Sequence, residues 1–195
     1  NKYGDRLVHL MSTRIGGVST GECAALNLGF NRNDSRENVY ENYSRLCKSA
    51  GIDRQSLVMS NQVHSTFIRT VNKSDMGKGF TKESDTKNAD GLLTVSPGVT
   101  LVTHHADCVP VYLYEPGIHA AALLHSGWRG TLKSIVSGAV DRLSELPGFR
   151  ADRLLAVIGP SIRSCCFEVE KDVYSLFREK YREAGSAVMH FEHEA

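Results

Sequence analysis

The sequence predicts a mixed α/β sandwich. Three observations point there. Short apolar runs of strand type alternate with helical stretches, the strands at 109–114 and 118–125 are joined by the tight turn Glu115-Pro116-Gly117, and residues 132–146 repeat apolar side chains at helical spacing. Strands joined by tight turns exclude a strictly parallel sheet, and strands mixed with helices exclude an all-β fold. The 195 residues suit one domain.

Taken in order, residues 6–14 have enough apolar character for a strand, and the Gly16-Gly17 and Gly21 region forces a loop that continues through Asn27-Leu28-Gly29. Arg14 at the strand end and Asn27 in the loop stand where ligand contacts usually lie, with loop-backbone satisfaction the equal alternative. Asp34 and Glu37 form a capping-box pattern, so a helix is expected over 34–50 with Val39, Tyr43, Leu46 and Cys47 inward and Gly51 as its stop.

Residues 56–59 and 66–71 read as strands. Between them Gln62 and His64 have the same parity, so an extended run places them on one face. Residues 72–88 are polar and charged and read as a mobile surface loop. Strands follow at 89–95, 99–104, 109–114 and 118–125, a helix at 130–146, a buried strand at 153–160, a loop with Cys165, Cys166 and Glu168, and a helix at 170–184 with Val173, Leu176, Phe177 and Tyr181 inward. A further strand is expected at 187–191.

A formal net charge of +1 implies neither nucleic acid nor an anionic membrane as partner, and no apolar run reaches transmembrane length. Five cysteines without regular spacing are a poor disulfide framework and fit reduced thiols in a cytoplasmic protein. A signal-peptide core is absent from the first residues.

Chemistry concentrates at 101–131. One break between apolar runs carries His104, His105, Asp107 and Cys108, and the next carries His125, Ser126, Trp128 and Arg129. His64, Cys108 and His125 make a nitrogen–sulfur set suited to zinc, which in catalytic sites takes three protein ligands and leaves a fourth position open. Asp107 is a candidate to orient a ligand imidazole or to move a proton. Gly127–Thr131 at the start of the 130–146 helix, with Arg129, is a candidate anion site. Three alternatives compete with the open site: a closed zinc site with His105 or His104 as fourth ligand, a set of core histidines, and a thiol mechanism with Cys108 as nucleophile and His125 as base.

The motifs Asn61-Gln62-Val63-His64, Ala89-Asp90-Gly91-Leu92, Ala106-Asp107-Cys108-Val109-Pro110-Val111, His125-Ser126-Gly127-Trp128-Arg129-Gly130-Thr131 and Ile158-Gly159-Pro160-Ser161-Ile162, with Cys166-Phe167-Glu168-Val169 following, resemble the YfiH family, also called the laccase-domain or multicopper polyphenol oxidoreductase family. The resemblance implies a four-layer α-β-β-α sandwich with mixed sheets, in which residues 1–195 form a single domain with an incomplete C-terminal end. It implies zinc on His64, Cys108 and His125, and phosphorolysis of adenosine, inosine, guanosine and methylthioadenosine with adenosine deamination at the same site. Small-molecule nucleoside and phosphate are then the partners of a monomer or homodimer. Catalytic roles fall on His64, Cys108, His125 and Asp107, and ligand contacts on Arg14, Asn27, Gln62, Arg129 and Glu168. Relatives are also described as peptidoglycan editing hydrolases that act on a nucleotide-linked muramic acid precursor. A copper polyphenol oxidase ranks lowest, because a multicopper site needs more histidines than these eight scattered ones. Two departures stand out. His104-His105 precedes Ala-Asp-Cys where the family has Thr, and the family's Phe-Phe-Ser-x-Arg-Arg ending has no counterpart here.

Overall fold

The computed structural model describes residues 6–85 and 88–182. Helix α1, Arg36–Ala50, begins where the Ser35 hydroxyl accepts the Asn38 N–H, and it ends at Gly51, whose φ of +66° is open to glycine without strain. Ser35 therefore takes the capping role expected of Asp34 and Glu37. Asp34 instead accepts from Ser19 Oγ at 2.6 Å and from the Asn27 and Asn38 amides at 2.9 Å, which fastens the glycine-rich loop to the helix start. The inner face of α1 buries Val39, Tyr43 and Cys47 against Leu57, Met59 and Phe80. Cys47 is the core thiol expected, with its pKa pushed up by burial.

Two sheets lie behind that helix. Strand β1, Leu57–Met59, pairs in parallel with β4, Thr100–Val102. The larger sheet runs in the order β2 (Ile68–Thr70), β3 (Gly91–Thr94), β6 (Ala120–Ser126), β5 (Val109–Glu115), β7 (Leu155–Ile158). Only the β2–β3 pair is parallel; the other three pairings are antiparallel. The β5–β6 hairpin sets Pro110 opposite His125.

Side-chain alternation along the strands separates three apolar layers. Leu57 and Met59 face α1, whereas Val58 points the other way and packs with Val71 and Leu92 between the sheets. Leu93, Val111, Leu113, Ala122 and Leu124 cover the far face of the larger sheet and meet Ile135, Ala139 and Leu143 of helix α3, Ile135–Ser144. The order is helix, sheet, sheet, helix, as the resemblance implies.

Several elements differ from expectation. Residues 6–14 form no strand, although the Tyr112 hydroxyl donates to the Leu10 carbonyl at 3.0 Å. The helix expected over 130–146 is two: α2, Trp128–Leu132, and α3, separated by Ser134 at φ +62°. Apolar spacing survives that break, so periodicity does not register one left-handed residue. Strand β7 is expected to be buried, yet all four of its residues are exposed, with Ile158 74% accessible, at the edge of the sheet beside β5.

Residues 72–85 are ordered by charge rather than loose. Asn72 caps the turn Lys73–Asp75 on the Ser74 N–H, and buried Asp75 accepts the Asn72 N–H in return. Lys78 Nζ bridges Asp75 at 2.7 Å and Asp85 at 2.8 Å, and Phe80 joins the α1 core. Helix α4, Lys171–Lys180, half-buries Val173 and Phe177, with Tyr181 just after it, but leaves Leu176 exposed. The helix end expected near Gly185 and the strand expected at 187–191 lie outside the described residues. No helix among the described residues is long and apolar enough to cross a membrane.

Candidate metal centre

His125 is the next-to-last residue of β6 and is 5% exposed. Cys108 immediately precedes β5, the partner of β6 in the hairpin, and His64 stands in the irregular stretch between β1 and β2. One ligand atom from each lies within 4.8 Å of the other two. The Cys108 Sγ to His64 Nε2 distance is 3.8 Å, and the two imidazoles meet edge-on with centroids 5.0 Å apart. A tetrahedral zinc with bonds of about 2.0 Å to nitrogen and 2.3 Å to sulfur sets its donors roughly 3.3–3.6 Å apart, so the set fits such an ion with small adjustments. Burial, then the nearby Asp107 and Asp90 charges, push the Cys108 thiol up, and a bound cation works against that shift by favouring the thiolate.

Asp90 builds this arrangement. It is fully buried at the end of the loop before β3. Its Oδ1 accepts His125 Nδ1 at 2.7 Å and the His64 backbone N–H at 3.0 Å; its Oδ2 accepts the Val63 and Ser65 N–H groups and the Ser65 hydroxyl at 2.7–3.0 Å. Burial opposes the charge on Asp90, but the bonds from His125, Val63 and Ser65 overcome it and bring the carboxyl down to about 2. A carboxylate on Nδ1 fixes the His125 tautomer that leaves Nε2 with a lone pair for a metal.

Gly127 is the second determinant. A Cβ there would stand 2.7 Å from His64 Cδ2 and 3.1 Å from Cys108 Sγ, so only glycine lets this backbone pass the cluster. Sequence reasoning gave Asp90 no role and placed Gly127 only in the candidate anion site at the helix start. Asp90 directly before an apolar strand was the available signal, since a carboxylate there must find partners when the strand is buried.

The other candidates divide. Asp107, expected to orient an imidazole, is exposed, and Asp90 does that work. His64 has φ +60°, so the 62–64 stretch is not extended and the expected shared face is absent. Gln62 instead clamps the His104 backbone, donating to its carbonyl at 2.6 Å and accepting its N–H at 2.8 Å. Asn27 spends its amide on Gly29 and Asp34.

Arg14 is exposed and donates to the Ala24 carbonyl. Arg129 is exposed and lies over the Trp128 ring at 4.2 Å, and its helix is only five residues long, so the expected anion site rests on the guanidinium rather than on a helix dipole. Glu168 is exposed in the loop after β7, a loop tied to the Cys108 turn by the Ile162 N–H on the Asp107 carbonyl at 2.9 Å.

His105 lies beside the cluster, 5.3 Å from His125 between centroids, but both its ring nitrogens are engaged. Nδ1 is 3.1 Å from the Cys108 carbonyl and Nε2 2.8 Å from Thr103 Oγ1. Burial pushes it down to about 4 and keeps it neutral. His104 turns away, its Nε2 between Tyr43 Oη at 2.8 Å and the Leu28 carbonyl at 3.1 Å. The donor set among the described residues therefore has three members. A cleft of about 1100 Å³ runs along residues 6–14 and the β4 end to His104–Ala106, and Arg14 and Asn27 line it.

A family described as multi-copper polyphenol oxidoreductase laccase matches residues 8–194. The chain belongs to this family. Purine nucleoside phosphorylase YlmD of Bacillus subtilis is 33% identical over 179 residues, which cover 91% of this chain and 64% of the relative. A purine nucleoside phosphorylase of Deinococcus radiodurans is 35% identical over 170 residues, 87% of this chain and 62% of the relative. Among solved structures, YlmD from Geobacillus stearothermophilus superposes with a TM-score of 0.79 at 35% identity, covering 86% of this chain and 63% of that one. The chain thus spans less than two thirds of the length of these relatives. Their shared fold agrees with the helix–sheet–sheet–helix order found here.

Proposed function

We propose that the chain carries the zinc site of a purine nucleoside phosphorylase that acts on adenosine, inosine, guanosine and methylthioadenosine, with adenosine deamination at the same site. The observation that carries this reading is the three-membered donor set. With both His105 nitrogens engaged and His104 turned into the α1 core, His64, Cys108 and His125 leave a coordination position for a substrate. The names of the relatives supply the substrate class. Zinc is preferred to copper because an open set of three nitrogen and sulfur donors suits a catalytic zinc, whereas multicopper chemistry needs further histidines.

In this reading a bound zinc supplies Lewis-acid polarisation. Asp90 keeps His125 in its liganding tautomer and holds the backbone of His64. Arg129, braced on Trp128, meets the phosphate charge. Phosphorolysis breaks the bond between ribose C1′ and the base and forms one from C1′ to a phosphate oxygen, and exposed Asp107 exchanges the proton that the departing base needs. Arg14 and Glu168 reach ligand from the rim, while Asn27 and Gln62 act by shaping the loops they pin. Nucleoside and phosphate are the partners of a cytoplasmic monomer or homodimer, a setting that suits its five unpaired thiols.

The size of the cleft that reaches His104–Ala106, about 1100 Å³, favours a second reading, an amide hydrolase acting on a nucleotide-linked muramic acid precursor. A side-by-side assay of zinc-loaded protein separates the two. Hypoxanthine release from inosine that requires phosphate supports the first. Hydrolysis of the muramyl precursor with no cleavage of any purine nucleoside reverses the order.

A further inference from the structure

The loop between β7 and α4 carries two thiols that the proposed reaction leaves unused. Cys165 and Cys166 are both exposed, and their Sγ atoms lie 3.4 Å apart. The Cys166 and Phe167 N–H groups converge on the Arg163 carbonyl, each at 3.0 Å, forming the turn that carries the pair. The same loop is bonded to both sides of Cys108, through the Ile162 N–H on Asp107 and the Gly159 N–H on Pro110, each 2.9 Å.

Adjacent residues are poorly placed for a disulfide, since Cα atoms across a trans peptide are about 3.8 Å apart and disulfides favour roughly 4.4–6.8 Å. The pair is better matched to chelation. An ion bonded at about 2.3 Å to two sulfurs 3.4 Å apart sees them at an angle of roughly 95°. That angle suits pyramidal or tetrahedral coordination and excludes a linear two-coordinate ion. Two thiolate sulfurs select a soft, thiophilic ion.

We infer that Cys165 and Cys166 form a dithiol site for a thiophilic ion of bent coordination geometry, separate from the His64–Cys108–His125 cluster. Binding releases two thiol protons and forms two bonds from sulfur to the ion, with no change of oxidation state.

A trivalent phenylarsenical, phenylarsine oxide, probes the site. Its oxygen leaves as water with the two thiol protons while two arsenic–sulfur bonds form. Intact-mass measurement of the zinc-loaded protein is expected to show one adduct per chain that survives excess 2-mercaptoethanol and is removed by 1,2-ethanedithiol. Cys165→Ser and Cys166→Ser should each lose the monothiol-resistant adduct, and Cys23→Ser should keep it. Circular dichroism checks that the variants fold. Absence of the adduct, its removal by the monothiol, or its retention in either Cys165→Ser or Cys166→Ser overturns the inference.

Discussion

Asp90 and His125 are joined twice. The Asp90 carboxylate takes the His125 Nδ1 proton at 2.7 Å, and the His125 backbone N–H bonds to the Asp90 carbonyl at 2.7 Å. The first bond sets the imidazole tautomer and the second locks β6 to the start of β3. Since the same carboxylate also holds the 63–65 backbone, one buried residue fixes two of the three donors.

Asp90→Asn should therefore weaken zinc binding by about 10–100-fold, the usual cost of losing a partner that orients a ligand. An amide also presents a donor to N–H groups that need an acceptor, so thermal stability should fall with it. Competition with a chelator of known affinity measures the first effect and calorimetry the second. Unchanged zinc affinity would mean that the donors hold themselves in place.

Gly127→Ala tests the close approach of backbone to cluster. The added methyl would stand 2.7 Å from His64 Cδ2, closer than real contacts come, and a tight 3.1 Å from Cys108 Sγ, so the donors must shift. Zinc affinity is expected to drop more than about 10-fold while the fold persists, because the surrounding core is untouched. Wild-type affinity in this variant would refute the geometry described.

His105→Phe addresses the closed-site alternative. With both nitrogens of His105 bonded to Thr103 and the Cys108 carbonyl, its loss should leave one zinc per chain, whereas His64→Ala should not. Metal analysis after dialysis reads both. Loss of zinc from His105→Phe would make His105 a ligand.

Stability should fall with pH in two steps of the same sign. His104 is lowered from its ordinary 6.5 by burial, against the pull of the Leu28 carbonyl, so below that value the unfolded chain takes a proton the folded chain refuses. Asp34 is held at about 2 by bonds from Asn27, Ser19 and Asn38, so its contribution is complete above 3.8 and is lost as pH falls through about 2. Denaturant unfolding across a pH series should show both. His104→Gln should flatten the upper step and Asp34→Asn the lower, and a slope unchanged in both variants would contradict the assignments.

Much of the site was legible because it rests on residue type at strand ends. Cys108 and His125 stand at the ends of paired strands, and His64 completes with them a nitrogen–sulfur set suited to zinc. Its organisation was not legible. Asp107 adjoins Cys108 in sequence but faces solvent, while Asp90 acts through strand pairing and through the left-handed turn at His64, which local spacing does not encode. The parity argument for Gln62 failed for the same reason. The 130–146 stretch shows one unbroken apolar repeat because Ser134 breaks the backbone without breaking that repeat, and the apolar composition of β7 does not say whether anything packs on its faces.

Arg129→Ala extends the account to substrate. With the guanidinium stacked on Trp128 as the proposed phosphate contact, its removal should raise KM for phosphate about 10-fold or more and leave KM for inosine nearly unchanged. Steady-state kinetics with each substrate varied in turn checks this. Equal changes in both constants would place Arg129 elsewhere.

The central claim is a three-donor centre, one thiolate and two imidazoles, with an exchangeable fourth position. X-ray absorption at the zinc edge measures it directly on the zinc-loaded protein. The account predicts one sulfur at about 2.3 Å, two imidazoles and one further light atom that is replaced when phosphate or an inhibitor anion is added. Three imidazoles, two sulfurs, or a fourth ligand that no anion displaces would contradict it.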